Sequence, residues 1–381
     1  MSGIRPAQLD DLRQVVGLFQ RVMPSYSELA AAELEAFFGR VLFDTPVADP
    51  DIPSLVYEGG DGRVVGFIAA QVRPMRFDGT RLRLAAGSHL VADPDESRPV
   101  GALLLRAFLT GPQDVTVTDT ATKTVERIWE TLGGRALPLG GIEWIRLLKP
   151  GAVAVHLLAR RMGARNRTID LLGSSFDSLV GRPARLLLGP ESVDATAEAL
   201  TPDAVREHLP ALTRSLRVVP DYDERYLSWL FTELARLRPD GRTVANLVRA
   251  DDRVVGWYVY RLQEGALCPV AQIAGTDRVD VVIDHLIGHA DEHGASGLRG
   301  RVDGALLRPA VERRCILRFT GGRMIHSRDP ALADAIGAGD AMLSLLEGEW
   351  TALPWPSDPR RASETLDAPL PGTQGKPPPS R

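Results

Sequence analysis

Cysteine is scarce in this chain: Cys268 and Cys315 are the only two in 381 residues, at no metal-ligand spacing. A disulfide framework is therefore not expected, and a reducing, cytoplasmic setting is. Excess positive charge is missing too, with 45 Lys and Arg against 49 Asp and Glu and a net charge of −4. That balance gives no broad footprint for nucleic acid and leaves open only a local basic groove. No apolar run approaches the roughly 20 residues of a membrane span. The longest candidate, "GAVAVHLLARRMGARNR", breaks at His156 and at Arg160-Arg161, so it reads as an amphipathic helix. The opening "MSGIRPAQLDDL" is charged early and lacks the apolar centre of a signal peptide. What remains is ordinary for a soluble globular protein, 44% hydrophobic and 25% charged.

The chain nearly repeats itself. "DGRVVGFIAAQV" begins at Asp61 and "DDRVVGWYVYRL" at Asp251, which places the two Val-Val-Gly cores 190 residues apart. Each lies in a predicted hairpin of Val-, Tyr- and Phe-rich strands, the first turning at Gly59-Gly60-Asp61-Gly62 and the second at Asp251-Asp252. The elements around them recur in the same order. "IRPAQLDDLRQVVGLFQRVM" reads as a strand and a helix capped by Asp10 or Asp11, with Leu12, Val15, Val16 and Phe19 on its apolar face. "ATAEALTPDAVREHLPALTRSL" matches it at an offset of about 192, with Asp203 at the cap. A duplicated unit explains both offsets.

Four segments follow. Residues 1–150 form one α/β unit of strand, helix, hairpin, strand, helix, strand and helix, closed by the strand "IEWIRLLKP". Residues 151–192 form a linker with helical stretches whose arginines could hold a phosphate or face solvent. Residues 193–352 repeat the unit and end on "GDAMLSLLEGEW", expected to be an amphipathic helix. Residues 353–381 form a tail rich in Pro, Gly and Ser, expected to be disordered. The fold class is α/β (α+β): two tandem units, each a mixed, mostly antiparallel sheet flanked by helices.

Between the third strand and the next helix stands Arg98-Pro99-Val100-Gly101-Ala102-Leu103. The N–H groups at a helix N-terminus converge on one point, and the helix dipole favours an anion there. Gly101 permits close approach and Arg98 adds charge. Proline is tolerated in a first turn because its missing N–H would be unpaired anyway. This stretch and the element order resemble the GCN5-related N-acetyltransferase (GNAT) superfamily, whose members carry Arg/Gln-x-x-Gly-x-Gly/Ala in this loop. Leu103 departs from that pattern, since the family prefers a small residue there. The resemblance implies an acyl-CoA-dependent acyltransferase, with acetyl-CoA or a related acyl-CoA as cosubstrate and no metal. It also implies that Arg98–Leu103 cradle the pyrophosphate and that the backbone of Leu90 and Val91 serves the thioester carbonyl. Where many members have an Asn and a Tyr in the next helix, this chain has Thr122 and Trp129. Thr122 is carried over to the cofactor side, while an indole cannot replace the Tyr as acid toward the CoA thiolate. In the second unit "TDRVD" stands in place of the cradle, so CoA binding is expected to be lost there.

His89 and Glu96 are the candidate bases for the incoming amine, His89 for its ordinary pKa and its place on the strand. His285, His289 and His293 recur every fourth residue, but no distant ligand accompanies them, and a polar helix face is expected. The implied acceptor is a small-molecule or peptide amine; no nucleic acid or membrane partner is expected, and a homodimer is compatible with the second unit's surface. Two other functions stay open. Trp129, Leu103 and the lost second cradle suit a non-catalytic binding or scaffold protein, and a Fem-like aminoacyl-tRNA-dependent transferase would share the tandem plan.

Overall fold

The computed structural model describes residues 3–23, 26, 29–149, 193–237, 241–275 and 277–352. The expected linker helices and the Pro-rich tail lie outside these residues.

The first half begins with strand β1 (Gly3–Pro6) and helices α1 (Leu12–Val22) and α2 (Ala31–Phe38). The α1 face predicted from periodicity is the buried one, with Leu12, Val15, Val16 and Phe19 all inside. Asp11, one of the two expected caps, is the N-cap of α1, but its side chain makes no bond to the first turn of α1. It accepts instead from the Gln8 amide at 2.8 Å, closing the short 3-10 turn Leu9–Asp11 that leads into the helix. Two N–H groups of Arg5 grip the same carboxylate at 2.8 Å and hold its pKa below the usual value. Next come β2 (Leu55–Glu58), the long hairpin β3 (Val64–Phe77) and β4 (Thr80–Ala92), α3 (Val100–Leu109) and β5 (Val115–Thr118). Helix α4 (Lys123–Thr131), β6 (Arg135–Ala136) and β7 (Ile142–Leu147) follow.

The second half runs β8 (Thr196–Ala199), α5 (Pro202–Leu212), β9 (Val218–Pro220), α6 (Glu224–Arg236) and the hairpin β10 (Arg242–Ala250) and β11 (Arg253–Leu262). After it come β12 (Leu267–Gly275), α7 (Val279–Glu292), β13 (Gly297–Arg301), α8 (Leu307–Glu312), β14 (Ile316–Phe319), β15 (Met324–Ser327) and α9 (Pro330–Ala338). Thr201, not Asp203, caps α5, accepting from the Ala204 amide at 3.2 Å with Pro202 in the first turn.

The strands form two mixed sheets flanked by helices, and each sheet has one parallel pair, β4 with β5 and β12 with β13. The glycine of the repeated Val-Val-Gly core has the same task in both. A Cβ on Gly66 would lie 2.3 Å from Val100 Cγ1 and 2.9 Å from Leu104 Cδ1, so its absence lets α3 press onto β3. A Cβ on Gly256 would stand 2.8 Å from Val282 Cγ2 of α7 and 2.1 Å from the Ala274 carbonyl oxygen. The repeat is therefore a helix-on-hairpin contact used twice.

The closing strands depart from the expected plan. β7 forms where "IEWIRLLKP" places it, but it pairs with β13 and β14 of the second sheet instead of closing the first. Reciprocally, β15 from the second half pairs with β5 and β6 of the first sheet. The two halves thus exchange their last strands. The largest apolar cluster also joins them, containing Phe19 and Phe67 from the first half and Leu230, Trp257 and Trp350 from the second.

"GDAMLSLLEGEW" is not the expected amphipathic helix. After α9 ends on Gly339 in the left-handed region, the chain runs through bends and turns to a short 3-10 turn at Trp350–Ala352. Glu347 and Glu349 in this run are buried, and both are hydrogen-bonded to distant parts of the chain. Those long-range bonds replace the local ones a helix would make.

Candidate active site

The site is built where β4 leaves β5. Their parallel pairing covers Leu84–Val115, Ala85–Thr116 and Ala86–Val117, after which β4 continues to Ala92 while β5 ends at Thr118. Beyond Ala86 the two strands part, and β4 bulges against β3: Phe67 faces Val91, but Ala69 already faces Ser88. The extra residue lies in His89-Leu90, and His89 takes φ 53°, an uncommon value for a side-chain-bearing residue. Loop 93–99 then leads to the N-terminus of α3, with Pro99 as N-cap.

The two faces of this opening differ. Gly87 faces α3, because a Cβ there would meet the Phe108 ring at 2.5 Å. Its neighbour Ser88 faces the other way. There Gln71 Nε2 donates to Ser88 Oγ at 3.0 Å and to Thr351 Oγ1 at 2.8 Å, while Gln71 Oε1 accepts from Arg73 at 2.7 Å. His89 Nδ1 meets Ser88 Oγ at 2.9 Å, and its ring stands edge-on to Phe19 and Phe38.

The far wall is the end of β5. Glu349 Oε1 accepts from Thr118 Oγ1 at 2.5 Å and from the Asp119 amide at 2.7 Å; Oε2 accepts from Thr120 Oγ1 at 2.6 Å. Asp119 in turn lies 2.8 Å from Arg323, the residue just before β15, an ion pair by distance but without hydrogen-bond alignment. Arg301 donates to the Asp119 carbonyl at 2.6 Å. Burial, with the Asp119 charge beside it, pushes the Glu349 carboxyl up to about 7.

The structure separates the two candidate bases. His89 sits at the bulge, but its Nε2 is buried with no hydrogen-bond partner among the described residues, and burial lowers its pKa to about 4. A proton taken there is weakly held. Glu96 lies in the loop before α3, where its charge acts on Arg63 and Arg98. Arg98 donates to Tyr57 Oη at 3.0 Å. A Cβ on Gly101 would meet nothing nearer than Ala92 Cβ at 3.9 Å, so the start of α3 is open at that point. Val100 is buried, whereas Ala102 and Leu103 are half-buried. Leu90 belongs to the bulge and Val91 follows it, Val91 buried. Thr122 caps α4, accepting from the Val125 amide at 3.3 Å. Trp129 is buried in the core among α3 and β15 side chains.

In the second half, α7 begins at Val279 behind Arg278, which pairs with Asp251 at 2.9 Å. The histidine ladder on α7 is tied up locally. His285 Nδ1 meets Tyr258 Oη at 3.1 Å, His289 Nδ1 meets Tyr260 Oη at 2.8 Å, and His293 Nδ1 bonds the His289 carbonyl at 2.8 Å.

Gln71, Ser88, Asp119, Glu349 and Thr351 did not emerge from the sequence. The one visible sign is a pair of glutamates inside the apolar run "LSLLEGEW".

The fold matches solved structures with little sequence identity. One is a GCN5-related N-acetyltransferase from Anabaena variabilis ATCC 29413, with TM-score 0.54 and 9% identity over 86% of this chain and 73% of that one. Another, from Kribbella flavida, has TM-score 0.50 and 16% identity over 86% and 72%. Saccharomyces cerevisiae N-myristoyltransferase with bound myristoyl-CoA matches with TM-score 0.51 and 11% identity over 85% and 77%. No family model and no curated protein sequence matches the chain. The class defined is thus one of fold, that of the GNAT and N-myristoyltransferase structures. None of the helices described is long and apolar enough to cross a membrane.

Proposed function

We propose that this chain is an acyl-CoA-dependent acyltransferase that moves an acetyl or related acyl group from CoA to an amine of a small molecule or peptide. The observation that carries the reading is the opened β4–β5 pair, with a bulge at His89-Leu90 and a helix N-terminus at Pro99–Ala102 just beyond. The first sheet holds the cleft. Arg98 and the start of α3 meet the pyrophosphate, with Gly101 leaving room for it. The backbone at Leu90 and Val91 polarises the thioester carbonyl. The amine nitrogen then bonds to the carbonyl carbon, the C–S bond breaks, and the electron pair leaves on sulfur. The amine gives up one proton and the thiolate takes one.

The buried Trp129 cannot supply that proton, so it comes from solvent or from another residue. The same residue favours a second reading, a protein that binds acyl-CoA without turning it over. Calorimetric titration with acetyl-CoA tests the shared premise. Binding with a dissociation constant in the micromolar to millimolar range, on the order of typical KM values, supports it. No heat of binding to the wild type removes both readings. Product formation across a panel of amines then decides between them.

A further inference from the structure

The end of the described chain crosses the same opening. Glu349 is fixed to the end of β5 through Thr118, Asp119 and Thr120. Two residues later Thr351 is fixed to the opposite wall, through Gln71 to Ser88 of β4. Gln71 lies opposite Ala86, the last β4 residue paired with β5, so the second anchor stands directly behind the point where the strands part. Between the anchors, Trp350 has no exposed surface and belongs to the cluster of Phe19, Tyr26, Phe38 and Phe67, with its ring edge-on to Trp229 at 5.8 Å. The backbone before the first anchor is flush with the wall: a Cβ on Gly348 would fall 1.9 Å from Asp119 Oδ2.

We propose that Gly348–Thr351 form the end wall of the acyl cleft and that Trp350 makes this chain selective for short acyl groups such as acetyl and propionyl. This inference rests on the acyltransferase reading. α3 lies on the Gly87 face, and Ser88, Gln71 and Thr351 meet on the opposite face. An acyl group entering past α3 therefore runs toward the strap. A short group ends before it. A longer chain must displace a tryptophan packed at interior density, where an extra methylene has no free volume to occupy.

The test is binding, which needs no knowledge of the acceptor. The full chain is titrated with CoA, acetyl-CoA, butyryl-CoA, octanoyl-CoA and myristoyl-CoA. Wild type is expected to bind acetyl-CoA at least about tenfold more tightly than octanoyl-CoA or myristoyl-CoA, a difference of roughly 1.4 kcal/mol. Trp350→Ala is expected to bring octanoyl-CoA to within about threefold of acetyl-CoA. Trp350→Leu, a smaller disturbance of the core, should move the cut-off in the same direction and serves where the alanine variant does not fold. Wild type binding myristoyl-CoA as tightly as acetyl-CoA overturns the proposal, as does a folded variant with an unmoved cut-off. If wild type binds none of these compounds, CoA included, the acyltransferase reading itself has failed. If CoA and every acyl-CoA bind equally, only the end-wall proposal has.

Discussion

The backbone amide of Asp119 donates to the Glu349 side chain at 2.7 Å, and the amide of Glu349 donates to the Asp119 side chain at 2.9 Å. This reciprocal pair joins residues 230 positions apart. It also buries two carboxyl groups together, with relative exposure of 0% for Asp119 and 1% for Glu349. Burial, and after it the charge of the neighbouring Asp119, favours the protonated form of Glu349 and raises its value to about 7.

A pH dependence follows from that rise. A carboxyl whose folded value lies above its unfolded value gives its full stability below the unfolded value, near 4.5, and loses it as pH climbs through about 7. His89 acts in the opposite sense. Its folded value of about 4 lies below the ordinary 6.5, so its contribution is present above 6.5 and lost as pH falls toward 4. The two slopes offset each other between about 4.5 and 6.5. Glu349→Gln removes one of them. Relative to wild type, this variant should gain stability from pH 4.5 to pH 7.5, by up to about 3 kcal/mol. Urea midpoints across that range read the difference, and a constant difference at every pH would contradict the protonated Glu349.

Two glycines at the proposed cleft should behave oppositely. Gly348→Ala places a methyl 1.9 Å from Asp119 Oδ2, against an anchored backbone, and should cost about 1–3 kcal/mol with a lower melting temperature. Gly101→Ala meets only Ala92 Cβ at 3.9 Å and should leave stability nearly unchanged. Gly101→Leu should instead abolish acetyl-CoA binding, because its bulk covers the start of α3. Thermal melts and titrations on the three variants separate the two roles. A Gly101→Leu protein that binds like wild type would remove Gly101 from the cradle.

Local signals in the sequence located the hairpins, the apolar face of α1 and the helix start after Arg98, since each depends on neighbours within a few residues. The repeated Val-Val-Gly was visible as duplication, but its cause is a contact between Gly66 and the α3 residues Val100 and Leu104, more than thirty positions away. The strap was misread because "LSLLEGEW" has helix-like apolar spacing, whereas Glu349 finds its partners at the end of β5 and Glu347 at Gln272 and Tyr222. Strand partners were equally hidden. Nothing local in "IEWIRLLKP" or "RMIHS" states which sheet will receive them, and the structure crosses them over.

That crossing makes the halves interdependent, which a fragment experiment can read. A chain of residues 1–150 would keep β7 but lack β15, leaving the β5 edge open along Val115–Thr118. It would also lose Leu230, Trp257 and Trp350 from the cluster around Phe19 and Phe67. An unpaired edge beside exposed apolar surface favours aggregation over folding. The fragment alone should therefore be insoluble or lack near-ultraviolet circular dichroism. Co-expression with residues 151–381 should restore a soluble complex that survives size-exclusion chromatography. The full chain should unfold in one urea transition followed alike by fluorescence and far-ultraviolet circular dichroism. A monomeric, cooperatively folded 1–150 fragment would mean that each half completes its own sheet, contrary to the exchange of β7 and β15.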